Sequence, residues 1–64
     1  MAKITLRAAR INKDLLQTDV AEKLGVSSKT VGNWESGRTP IRAPILVRLC
    51  ELYGVELSDI ILPK

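Results

Sequence analysis

The sequence predicts an all-α fold of five short helices, and three observations carry that expectation. Apolar residues recur at spacings of three and four, as at Val20, Ala21 and Leu24 or at Ile45, Leu46, Leu49 and Tyr53, which gathers them on one face of a helix. Glycines stand just past the end of three such stretches, at Gly25, Gly37 and Gly54, where a helix stops at little cost. Thr5 and Ser27 stand just before two of them, where a hydroxyl accepts from the free N–H groups of the first turn. No segment reads as a strand.

Met1 to Lys3 is expected to be a loose start. Thr5 caps a first helix running to about Lys13, with Leu6, Ala9 and Ile11 turned inward. The second helix runs from Gln17 to Leu24. Its cap position holds Leu16, which accepts no hydrogen bond, and losing a cap typically costs about 1 kcal/mol. Asp19 offsets part of this by facing the positive end of the helix dipole. Gly25 then supplies a left-handed turn and Val26 tucks that turn inward. The third helix runs from Ser28, capped by Ser27, to Ser36, with Val31 and Trp34 on its inner side. After the loop Arg38-Thr39-Pro40-Ile41-Arg42, Pro44 suits the first turn of a fourth helix, where its missing N–H is harmless. That helix carries the broad apolar stripe Ile45, Leu46, Leu49, Cys50, Leu52 and Tyr53. A last short helix is expected from Leu57 to about Leu62.

Bulk properties narrow the function classes. The 64 residues have room for one small domain, expected to be 1–64, burying about 60% of its unfolded surface. With no His and Cys50 as the single Cys, neither a zinc site nor a disulfide can staple it. Cys50 lies in an apolar stripe and reads as a buried structural thiol. Catalytic, metal and cofactor sites are all expected to be absent: there is no Gly-rich phosphate loop, and the acids are scattered rather than paired. The net charge of +3 and pI near 9.4 are compatible with a nucleic-acid partner without demanding one. No membrane-length apolar run and no signal-like N-terminus are present, so the expected location is the cytoplasm.

The stretch from Gln17 to Trp34 is the most informative part of the chain, because two short amphipathic helices hinged at a glycine form a helix-turn-helix layout. With Leu15, Gln17, Val20, Ala21, Leu24, Gly25, Val26, Val31, Trp34, Glu35 and Gly37 in place, the chain resembles the phage repressor and Cro class of helix-turn-helix domains, also found in xenobiotic-response-element-type regulators of bacteria. Leu49-Cys50-Glu51-Leu52-Tyr53-Gly54-Val55 is similar to that family's fourth-helix ending. The resemblance covers roughly residues 6 to 62 and implies a lambda-repressor-like bundle that places its third helix in the DNA major groove.

Residue roles follow from the resemblance as expectations. Ser27, Ser28, Lys29 and Asn33 would meet base edges: Lys29 can donate to guanine O6 and N7, and Asn33 can pair with adenine. Gln17 and Thr30 would contact phosphates, Gln17 with help from the N–H groups that open its helix. Arg10 and Glu35 match positions of an inter-helix ion pair that leaves Arg10 close to a phosphate. Arg38 and Arg42 would clamp the backbone beside the groove, adding affinity and salt sensitivity rather than sequence choice. Taken one at a time, Lys29, Arg38 and Arg42 also read as ordinary surface charge. Trp34, spaced with Val31, reads as core rather than as a base-stacking platform. Gly32 lies inside the third helix, where glycine costs about 1 kcal/mol relative to alanine. The expectation is that it allows a close approach to the groove.

The function expected from these readings is a sequence-specific, double-stranded DNA-binding regulator, a repressor that occludes a promoter. It would act as a homodimer on an operator in a bacterial or phage-infected cell, associated with the nucleoid, with half-sites about 34 Å apart. Leu57, Ile61 and Leu62 are the candidates for a dimer contact. No small-molecule substrate and no membrane partner are expected. The alternative is a protein-interaction module on the same scaffold, such as an antitoxin.

Overall fold

The computed structural model describes residues 3–63. Four α-helices form the body: α1 (Leu6–Asn12), α2 (Gln17–Leu24), α3 (Ser28–Ser36) and α4 (Ala43–Tyr53). Two short strands, β1 (Ile4–Thr5) and β2 (Ile60–Ile61), pair in parallel with Ile4 opposite Ile60 and Thr5 opposite Ile61. The core joins all four helices through Leu6, Ala9, Val20, Ala21, Val31, Trp34, Leu49 and Tyr53, each at most 7% exposed.

Local chemistry sets the ends of these helices. The Thr5 hydroxyl accepts from the Ala8 N–H at 3.1 Å, and Ser27 does the same for Thr30 at 3.2 Å. Leu16 caps nothing with its side chain, but the Asp19 carboxylate reaches back to accept from the Leu16 N–H at 2.7 Å. Half of a capping box is therefore made without the hydroxyl half. Gly25 ends α2 at φ 70°, and the Val26 N–H closes the turn on the Ala21 carbonyl at 3.0 Å. Val26 then packs against the core, which fixes how α3 leaves α2.

Three expectations are corrected. The final helix is not formed: Leu57–Asp59 makes a single 3-10 turn and the chain then runs extended. Two consecutive β-branched residues favour pairing with β1, and Pro63 disfavours a helical Leu62. The prediction of a strandless fold fails at the same place, since this pairing ties the two ends of the chain together. Ile11 is 50% exposed rather than inward, because the buried arc of α1 is Leu6, Ala9 and Arg10 and Ile11 lies about 100° round from Arg10. Of the expected loose start, Met1 and Ala2 lie outside the described residues, while the Lys3 ammonium donates to the Ser58 carbonyl.

Candidate nucleic-acid interface

α3 divides into two sides. Val31 and Trp34 are 1% and 7% exposed and hold the helix to the core, so Trp34 has no face free for stacking on bases. Around the rest of the helix Ser28, Thr30, Gly32, Asn33 and Glu35 are half-buried and Lys29 and Ser36 are exposed. Lys29, Asn33 and Ser36 follow one another at i, i+4 and i+7 and share a face.

The placement of α3 is governed by Glu35. Its carboxylate accepts from Arg10 Nε at 2.7 Å, from Arg10 Nη2 at 3.2 Å and from Gln17 Nε2 at 3.1 Å. Arg10 Nη1 meanwhile donates to the Leu15 carbonyl at 2.8 Å, in the turn between α1 and α2. One guanidinium thereby ties α1, the following turn and α3 together, with the start of α2 joined through Gln17. Arg10 is the buried charged residue among those described. Its hydrogen bond to Glu35 raises its pKa further, outweighing the opposing effect of burial. Burial costs such a pair much of its Coulomb gain, so its main effect is geometric: it sets one orientation of α3.

Asn33 lies on the accessible face of α3, and Arg10, expected near a phosphate, is buried with each of its nitrogens donating within the protein; the other expected contact residues fall in three places. Ser27, Ser28, Lys29 and Thr30 lie at the first turn of α3. The Ser27 and Thr30 hydroxyls sit 2.9 Å apart, and Ser27 Oγ also caps the helix, so Ser27 is partly committed to structure. Gln17 stands beside the C-terminal half of α3, with Glu35 and Gly32 as its neighbours. Arg38 and Arg42 are both exposed in the segment beyond the end of α3. A nine-residue helix spans about 13 Å, so the end of α3 that these arginines follow is a helix length from its first turn.

One feature escaped the sequence reading. A hollow of about 540 Å³ lies between α1, the start of α2 and α3, lined by Arg7, Arg10, Gln17, Gly32, Glu35 and Ser36. Arg7 is exposed and was not among the expected contacts, although its i, i+3 spacing from Arg10 puts it on the same side of α1. Gly32, read from the sequence as allowing a close approach to the groove, borders Gln17. A methyl group built there would meet the Gln17 amide at 3.5 Å, an ordinary contact, so its open side faces Gln17.

A helix-turn-helix family profile matches residues 6–60, which takes in all four α-helices and the turns between them. The chain belongs to the Cro/C1-type helix-turn-helix family. A relative of this helix-turn-helix protein, an uncharacterized HTH-type transcriptional regulator of Methanocaldococcus jannaschii, is 33% identical over 58 residues, covering 91% of this chain and 88% of that one. Family membership and this relative together support a DNA-binding regulatory protein. Among the described residues, no helix of the helix-turn-helix protein is long and apolar enough to cross a membrane.

Proposed function

We propose that this protein is a sequence-specific regulator that inserts α3 into the major groove of double-stranded DNA and represses by occupying a promoter. The supporting observation is the fixing of α3: Val31 and Trp34 hold its inner side, Glu35 ties its end to Arg10 and Gln17, and Lys29 and Asn33 stay accessible on the other side. A rigid helix with one polar accessible side is what groove reading requires. Lys29 and Asn33 are the principal readers, with Ser27 and Ser28 allowing close approach. Gln17, Thr30, Arg38 and Arg42 contact phosphates.

In this reading the chain is a single DNA-binding domain without enzymatic activity, working in the cytoplasm on the nucleoid. Two copies occupy a palindrome. Leu57, Ile61 and Leu62 are 53%, 46% and 48% exposed, and they supply the contact between the copies. Selection of bound duplexes from a random pool tests the proposal. The expected result is enrichment of a two-fold symmetric consensus with half-sites about one helical turn apart. Recovery of sequences no different from the starting pool contradicts it.

A further inference from the structure

We propose that a second, apolar hollow, between the α3–α4 segment and the extended chain after β2, binds a small aromatic carboxylate, its ring inside and its carboxylate on Arg38. The hollow holds about 340 Å³ and is walled by Trp34, Pro40, Ile41, Leu62 and Pro63. An apolar cavity of about 150 Å³ already takes up benzene, so this one has room for one or two fused rings. Its volume also falls within the range of about 300–1,000 Å³ usual for small-molecule sites. Trp34 is only 7% exposed, so a ring in the hollow meets its edge rather than its face, an arrangement that aromatic pairs favour.

The charge of the occupant follows from the segment that borders the hollow. Arg38 stands between Gly37 and Thr39, which both line it, and Arg42 follows Ile41. Both arginines are exposed, and neither takes part in an ion pair among the described residues. Residues 36–50 hold three arginines and no acidic residue, so the segment carries no counter-charge within itself. A carboxylate answers that excess, and a guanidinium binds one through two parallel hydrogen bonds. The hydroxyl of Thr39, also exposed, offers a further donor. Arg38 serves a DNA phosphate in the DNA-binding reading, so the ligand and DNA compete for it. That competition rests on the DNA-binding reading; the ligand site does not.

The test titrates 1-naphthoate, and separately the uncharged 1-naphthalenemethanol, into the full chain. The readout is the indole N–H resonance of Trp34, the single Trp of the sequence. The acid should shift that resonance saturably, and the alcohol should bind about fivefold more weakly. Arg38→Gln should bring the acid down to the affinity of the alcohol, and Arg38→Lys should recover part of the loss. Thermal unfolding without ligand checks that both variants are folded. In a duplex titration near ~0.1 M salt, saturating acid should weaken wild-type binding by at most about eightfold, the worth of one phosphate contact. It should leave duplex binding by Arg38→Gln unaffected. Equal affinity for acid and alcohol, or no saturable movement of Trp34, refutes the site. A resonance that moves as far on diluting the protein alone assigns the hollow to a second copy and overturns the inference. If the acid binds and wild-type duplex affinity is unchanged, the competition is refuted while the DNA reading stands. If wild type binds no duplex at all, the DNA reading and the competition fall together, and the Trp34 shift alone decides the ligand site.

Discussion

Arg10 and Glu35, from α1 and the end of α3, meet through two hydrogen bonds of 2.7 and 3.2 Å, with side chains only 9% and 6% exposed. Paired bonds between a planar guanidinium and a carboxylate fix direction as well as distance. The angle at which α3 is presented therefore depends on two residues on different helices.

Removing one partner should be costly. Glu35→Gln leaves the Arg10 charge enclosed without its counter-charge, and breaking buried pairs typically costs about 3–5 kcal/mol. The expected loss is about 3 kcal/mol, because the pair lies at the edge of a hollow rather than in the deep core. The double variant Arg10→Met, Glu35→Leu should recover most of that stability yet bind DNA more weakly than wild type. Urea unfolding of the two, set beside their DNA titrations, checks whether stability and presentation separate in this way.

Gly32→Ala should raise stability by about 1 kcal/mol, because the helix gains a better former and the methyl meets Gln17 at ordinary contact distance. For a domain of this size that is a rise of roughly 4–8 °C in melting temperature. Gly32→Leu, which carries its bulk into the hollow, should weaken DNA binding more than Gly32→Ala does. Melting curves and binding isotherms for the pair measure both effects.

Readers and clamps should respond differently. Lys29→Ala is expected to reduce discrimination between the selected site and a variant by about 1–3 kcal/mol. Arg42→Ala should weaken binding to every duplex alike and flatten the salt dependence by about one contact. Competition assays with matched and mismatched sites distinguish the two patterns.

Alkaline pH should unfold the protein through Tyr53. This phenol is 2% exposed, and burial, helped by the negative charge of Glu35, pushes its pKa from 10.0 up to about 12. The folded state then holds the proton more tightly than the unfolded chain. Its contribution is fully present below pH 10 and is lost as pH rises through about 12, a decline of order 2–3 kcal/mol. Tyr53→Phe should remove this part of the slope. Denaturant midpoints measured at several pH values compare the two proteins.

The helices α2 and α3 were legible to the residue because their signals are local: the glycine at each end, the Ser27 cap and the apolar spacing all act within a turn or two. The pairing of Ile4 and Thr5 with Ile60 and Ile61 was not, since two-residue strands carry no periodicity and their partners lie at opposite ends of the chain. An apolar Ile60-Ile61-Leu62 run fits a helix face or a strand equally well. The Asp19 half-cap was readable in principle from its place three residues after Leu16. In the site, Arg10 and Glu35 could be paired through the family resemblance. Arg7 was hidden because a single arginine on a short helix looks like any solvated charge, and only the hollow built by three helices gives it neighbours that matter.

The central claim is that the polar side of α3 meets DNA while its apolar side is locked to the body. Backbone amide shifts, followed by nuclear magnetic resonance as a selected duplex is added, test it most directly. The account predicts the largest changes at Ser28, Lys29 and Asn33, with a further change at Gln17 and little movement in the core stretch of α4 around Leu49. Changes concentrated on α4 or on Leu57 to Pro63, with Lys29 and Asn33 silent, would contradict it.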